Sequence, residues 1–251
     1  MANGCISTER ILNKLDEYLN KNDYDSALKH LLYWLSEAQL SGLGNIELLV
    51  RNELMGLYRK LGKEQEALQC VTAALEKTEE MQIQKQVGAA TTFLNCATVY
   101  KAFNMPQKAL PLFEKAKEIY ENELEPSDSR LGGLYNNMAL ALVDLERYKE
   151  ASELYDKAVS VMSSIEYGML EVAITYLNMA SAKEAEIGLL DAEETISHYL
   201  KKAEQILENF DKRDGYYAFV CEKCASVFGY YGYFNYEKQL IERAKRIYEG
   251  A

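Results

Sequence analysis

Apolar residues recur along this chain at steps of three and four, the period of one face of an α-helix. Between 109 and 120 the stripe at these steps is Ala109, Leu112, Phe113, Ala116, Ile119 and Tyr120. Between 151 and 162 the stripe is Ala151, Leu154, Tyr155, Ala158, Val161 and Met162. Each stretch predicts an amphipathic helix with one buried stripe. Turn formers fall between the stretches: Gly62, Asn104 ahead of Pro106, and Glu125-Pro126-Ser127-Asp128. Pro111 lies about a turn and a half inside a predicted helix, where it removes one hydrogen bond, and a tolerated bend is expected there.

The pattern repeats. LNCATVYKAFNMPQKALPLFEKAKEIY (94–120) aligns without gaps on NNMALALVDLERYKEASELYDKAVSVM (136–162), so that Ala97, Ala109, Phe113 and Ala116 fall on Ala139, Ala151, Tyr155 and Ala158. Extending the register gives a closing residue at Trp34, Ala74, Ala116, Ala158, Ala203 and Ala244, at intervals of 40, 42, 42, 45 and 41. The packing residue of the first helix precedes that of the second by 12 in Leu15/Ala27, Met55/Ala67, Ala97/Ala109, Ala139/Ala151 and Ala225/Glu237, and by 16 in Ala180/Ile196. Four extra residues are about one helical turn, so the insertion near Glu184–Leu190 lengthens the fifth hairpin without rotating its buried face. The predicted fold is all-α: about six helical hairpins at 8–41, 48–81, 90–124, 132–165, 173–210 and 218–250, filling 1–251 as one array.

Cys96-Ala97-Thr98-Val99-Tyr100, followed by Ala109 and Phe113, resembles the tetratricopeptide repeat family in its apolar–small–x–x–aromatic, A-x-x-x-F skeleton. The spacing near 42, with LYNNMALALVDLERYKEASELYDKAV (134–159), looks most like the long-helix subgroup found in kinesin light chain. The likeness is strongest in units two to four and weakest in unit six, where Glu237 takes the alanine site. HEAT and armadillo arrays, of comparable repeat length, are the alternative fold. The resemblance implies an α-solenoid, a right-handed superhelix whose concave wall is lined by the first helices and binds a protein or peptide.

On that wall a column of asparagines stands out. Asn13, Asn95, Asn137 and Asn178 lie two residues before the packing position of the first helix, and Asn52 and Asn136 three residues before it. A side-chain amide both donates and accepts, so a column of them suits the backbone of an extended peptide. The resemblance implies that role for Asn95, Asn137 and Asn178, with Asn52 beside them; the bland alternative is that they are solvated or bridge neighbouring repeats. Arg59, Lys60 and Lys101, one turn further along, suit an acidic ligand or terminal carboxylate. The fixed lysine and asparagine set with which some family members clamp a terminal carboxylate is not reproduced, and the surrounding acidity points to a basic or neutral segment.

Composition narrows the function. Lys plus Arg number 28 against 39 Asp plus Glu, a net charge of -11, which opposes phosphate-backbone binding and makes nucleic acid an unexpected partner. No apolar run approaches a membrane span of about 20 residues, and no basic-then-apolar leader opens the sequence, so a cytoplasmic protein is expected. The five cysteines are odd in number and irregularly spaced, as reduced packing residues would be. Cys221 and Cys224 form a CEKC pair, yet a zinc site wants four ligands and only His198 is near to add one; packing is the expected role. His30 and His198 lie on second helices, away from the wall. No phosphate loop, nucleophile elbow or zinc helix is present, so neither catalysis nor a cofactor is expected. The run GYYAFVCEKCASVFGYYGYFNYEK (215–238) is rich in tyrosine and either caps the last hydrophobic edge, the favoured reading, or forms a patch for self-association. A scaffold holding a protein or peptide is the leading reading. The second is a peptide-sensing regulator acting through protein contacts, since the first unit starts by residue 8 and leaves no room ahead of it for a helix-turn-helix.

Overall fold

The computed structural model describes residues 7–165 and 167–250. The described residues form twelve α-helices and no strand: α1 (Thr8–Leu19), α2 (Tyr24–Leu40), α3 (Gly44–Lys60), α4 (Glu64–Glu80), α5 (Val87–Ala102), α6 (Pro106–Glu123), α7 (Ser129–Asp144), α8 (Tyr148–Ser163), α9 (Met169–Ile187), α10 (Leu189–Asn209), α11 (Gly215–Tyr230) and α12 (Phe234–Glu249). Short turns join them into six hairpins, as the spacing predicts. After the first hairpin, each opening helix starts three or four residues before its expected boundary, at 44, 87, 129, 169 and 215 rather than 48, 90, 132, 173 and 218. Caps explain part of this: the Asp128 side chain accepts from Arg130 N, and that of Asp214 accepts from the backbone N–H of Tyr216 and Tyr217.

One turn recurs inside the hairpins. Asn22, Gly62, Asn104, Glu146 and Gly232 all have positive φ, and in each case the following N–H closes back over the helix end, as in Lys63 N to Tyr58 O at 2.9 Å and Arg147 N to Leu142 O at 2.9 Å. This is the left-handed helix stop. The fifth hairpin lacks it. There α9 and α10 are separated by Gly188 alone (φ 85°), and the inserted residues lengthen both helices, with Ala192 burying the added turn of α10. Helix α6 runs through the exposed Pro111 without interruption.

Small residues mark where the hairpins cross. Ala67, Ala97, Ala109, Ala116, Ala139 and Ala158 are 0% exposed, Ala151 is 1% exposed, and Phe113 and Tyr155 fill the space beside them at 0% and 1%. In the first hairpin Trp34 is only half-buried, and Ala38, one turn on, is buried instead. In the sixth, Glu237 is accommodated where alanine usually stands because its carboxyl fills the place a Cβ of the buried Gly229 would occupy.

The chain divides into two compact units, Met1–Ile119 and Tyr120–Ala251. In the first, α3 packs against α2, α4 and α5. Glu47 is buried there between Arg51 (Nη2–Oε1 2.7 Å) and Lys77 (Nζ–Oε2 3.4 Å). Burial pushes its carboxyl up, but the two cations outweigh it and leave the group below the usual carboxylate range. In the second unit α9 contacts α7, α8, α10 and α11, and one cluster joins Leu170, Leu177, Leu200, Tyr217, Phe228 and Leu240.

Candidate functional site

In the first unit, α3 and α5 lie side by side and share a half-buried stripe that carries Asn52 and Asn95. Asn52 Nδ2 donates to Thr92 Oγ1 at 3.2 Å, and Thr92 passes its hydroxyl to Gly88 O. The Asn52 Oδ1 is buried without a hydrogen-bond partner among the described residues. Asn52 thus ties one hairpin to the next. Asn95 is half-buried, and no side-chain hydrogen bond is made by it among the described residues. Beside Asn52, burial raises the Glu53 carboxyl, with Asp16 adding to the effect. Arg59 is exposed near the end of α3, Lys60 Nζ lies 4.6 Å from the centre of the Tyr24 ring, and Lys101 is half-buried near the end of α5.

In the second unit, α7 and α9 form the corresponding pair. Asn178 Nδ2 donates to Asn136 Oδ1 at 3.0 Å, a bond spanning 42 positions, while Asn137 Nδ2 donates to Gly133 O of its own helix at 2.8 Å. The asparagines are therefore partly structural: Asn52 and Asn178 bridge neighbouring hairpins, and Asn137 back-bonds its own helix. Each of these bonds uses one of the two Nδ2 hydrogens, so Asn137 and Asn178 each keep a second N–H as well as the acceptor Oδ1. Asn13 is exposed on α1.

The tyrosines of the last hairpin are anchored to acids of the fifth. Tyr230 and Tyr231 donate to the two oxygens of Glu184 at 2.7 Å each, Tyr216 to Glu171, and Tyr236 to Glu208 at 2.7 Å. Arg243 grips Glu208 through two bonds of 2.7 and 3.0 Å, and Tyr217 Oη donates to Leu207 O at 3.1 Å. Sequence periodicity misses these pairs, because the partners lie up to 47 positions apart. Their one signal is the density of tyrosine itself.

Cys221 and Cys224 are 0% and 1% exposed, and burial pushes both thiols up, which suits packing rather than metal or redox chemistry. Among the described residues, no three or more His, Cys, Asp or Glu side chains are gathered so as to hold a metal ion. His198 is exposed, whereas His30 is half-buried with Nε2 at 2.9 Å from Ile11 O, joining α2 to α1. No helix among the described residues is long and apolar enough to cross a membrane.

Comparison with known families matches the tetratricopeptide repeat over residues 47–122 and again over 132–162. A comparison with curated protein sequences gives no match. Among solved structures, BtubC (BKLC) from P. vanneervenii is 17% identical with a TM-score of 0.65, over 81% of this chain and 82% of that one. Kinesin light chain-type, nearly identical TPR-like repeats from Podosopora anserina are 16% identical with a TM-score of 0.54, over 80% of this chain and 94% of theirs; a variant of the same repeats gives 16% and 0.55 over 80% and 93%. These likenesses establish the fold. Tetratricopeptide repeats commonly mediate protein–protein interactions through extended stacked surfaces. The small-residue hairpin crossings, the two family matches and the shared fold together show that the chain is an all-α array carrying tetratricopeptide repeats, similar in fold to kinesin light chain-type repeats.

Proposed function

We propose that this protein is a scaffold that holds extended segments of a partner polypeptide against the open faces of its first helices, α3 and α5 in one unit and α7 and α9 in the other, and does no chemistry on them. The observation that carries this reading is the return of a half-buried asparagine two residues before the packing position on α5, α7 and α9, with Asn52 one place earlier on α3. Asn95 offers donor and acceptor, and Asn137 and Asn178 each offer Oδ1 and a second Nδ2 hydrogen, so both the N–H and the C=O groups of a segment's backbone would be held. Arg59 and Lys101, one turn along in the first unit, would take an acidic side chain or terminal carboxylate of a segment held there. The four cysteines among the described residues are buried, free thiols, which suit work in a reducing compartment, the cytoplasm.

The test is a peptide selected from a phage-displayed random library on the whole protein, its affinity then measured by fluorescence polarisation. Replacing Asn95, Asn137 and Asn178 together with alanine should weaken it at least tenfold while the circular dichroism spectrum stays the same. Unchanged affinity would remove the asparagines from the mechanism.

A further inference from the structure

Away from the asparagine face, the second unit carries a notch of about 420 Å³ between the end of α10 and the turn into α12. Glu204, Glu208, Tyr233, Phe234, Tyr236 and Gln239 line it. Phe234 is 62% exposed and Tyr233 40%, so two rings stand open at its mouth. The lining holds two carboxylates and no cation. Glu208 is spoken for by Tyr236 and Arg243, but Glu204 is half-buried with no hydrogen bond or ion pair among the described residues.

The protein itself displays what such a lining takes. On its inner flank the Arg243 guanidinium lies 5.8 Å from the centre of the Tyr236 ring and makes two bonds to Glu208, so one plate-like cation is held by a ring and a carboxylate together. The notch repeats the elements of that arrangement with Glu204 in place of Glu208 and the exposed rings in place of Tyr236, and leaves the cation out. We propose that this notch is a second recognition site, which receives an arginine side chain presented by a partner polypeptide. The guanidinium stacks on the Tyr233 and Phe234 rings while its N–H fork meets Glu204. Arginine fits better than lysine because its planar group stacks and bonds at once, whereas an ammonium is a compact, strongly hydrated point charge.

The probe is the blocked tripeptide acetyl-Gly-Arg-Gly-amide, titrated into the isotope-labelled full chain and followed by amide shifts in two-dimensional NMR. The citrulline peptide, of the same shape without charge, and the lysine peptide are run alongside. Shifts centred on residues 204–208 and 232–239 are expected, saturating with the arginine peptide and about tenfold weaker with citrulline. Glu204→Gln and Phe234→Ala should each weaken the arginine response several-fold, with circular dichroism and melting temperature unchanged. Equal response to citrulline, equal response to lysine, indifference to Glu204→Gln, or no localised shift at millimolar peptide would each overturn the proposal. The alanine variant of Asn95, Asn137 and Asn178 should respond like the parent, which keeps this site separate from the first-helix face.

Discussion

At the scale of the residue, the crossing alanines decide most. Ala109 has no exposed surface, and enlarging a side chain in a close-packed crossing costs about 1–3 kcal/mol. Ala109→Leu is therefore expected to lower the melting temperature, read by circular dichroism; an unchanged melt would mean that the crossing lies elsewhere. Glu47 makes a second test. Removing one member of a buried ion pair costs on the order of 3 kcal/mol, so Glu47→Gln should destabilise the protein near neutral pH. The sign with pH follows from the depressed folded carboxyl. Its contribution is fully present above the unfolded carboxylate pKa of about 4.3 and is lost as pH falls through the lower folded value. The gap in melting temperature between parent and Glu47→Gln should accordingly narrow on acidification, and a gap that widens would reverse the assignment. Sequence periodicity shows the alanines but not Glu47, because a charge at a buried place breaks the apolar stripe and is explained only by Arg51 one turn on and Lys77 on the next helix.

At the scale of the element, caps and turns fix the hairpins. Asp214 opens α11 by accepting two backbone N–H groups at 3.0 and 3.1 Å, and losing such a cap typically costs about 1 kcal/mol. Asp214→Ala should cost that much by urea unfolding. The early starts of α7 and α11 came from such capped first turns, in which a polar side chain serves the backbone outside the apolar period. Glu146 presents the opposite case, a non-glycine residue held at φ 59° where Gly62 and Gly232 serve elsewhere. Relief of left-handed strain, about 1–2 kcal/mol, outweighs the added freedom of glycine in the unfolded chain, about 0.5–1 kcal/mol. Glu146→Gly is thus expected to raise the melting temperature slightly; a fall would show that the Glu146 side chain contributes more than its backbone loses. The asparagines were legible as a column because they keep the repeat register. Their bonds were not, since Asn178 to Asn136 and Asn52 to Thr92 join residues 42 and 40 positions apart, and apposition across hairpins is a property of stacking rather than of any one helix.

At the scale of the whole molecule, repeat arrays are stabilised by each unit and its neighbours, without contacts across long sequence distances. A lesion should stay where it is made. Asp214→Ala is expected to speed amide hydrogen exchange in α11 and α12 while leaving α3 and α4 as protected as before, and uniform acceleration would mark the chain as one cooperative body instead. The six-hairpin plan was legible because its spacing survives even the inserted turn of the fifth unit. The acid-anchored tyrosines of the last hairpin were not, for they depend on Glu171, Glu184 and Glu208 meeting rings that no periodicity assigns to them.

The chain has a single tryptophan, Trp34, and it sits half-buried on α2 beside Tyr33 and His30 rather than in the crossing that alanine occupies elsewhere. Indole emission is accordingly a local reporter, lit by events in the opening hairpin and blind to the remaining five. Fluorescence and circular dichroism should trace different curves when the protein is heated, and the separation between them measures how far that first hairpin frays ahead of the rest.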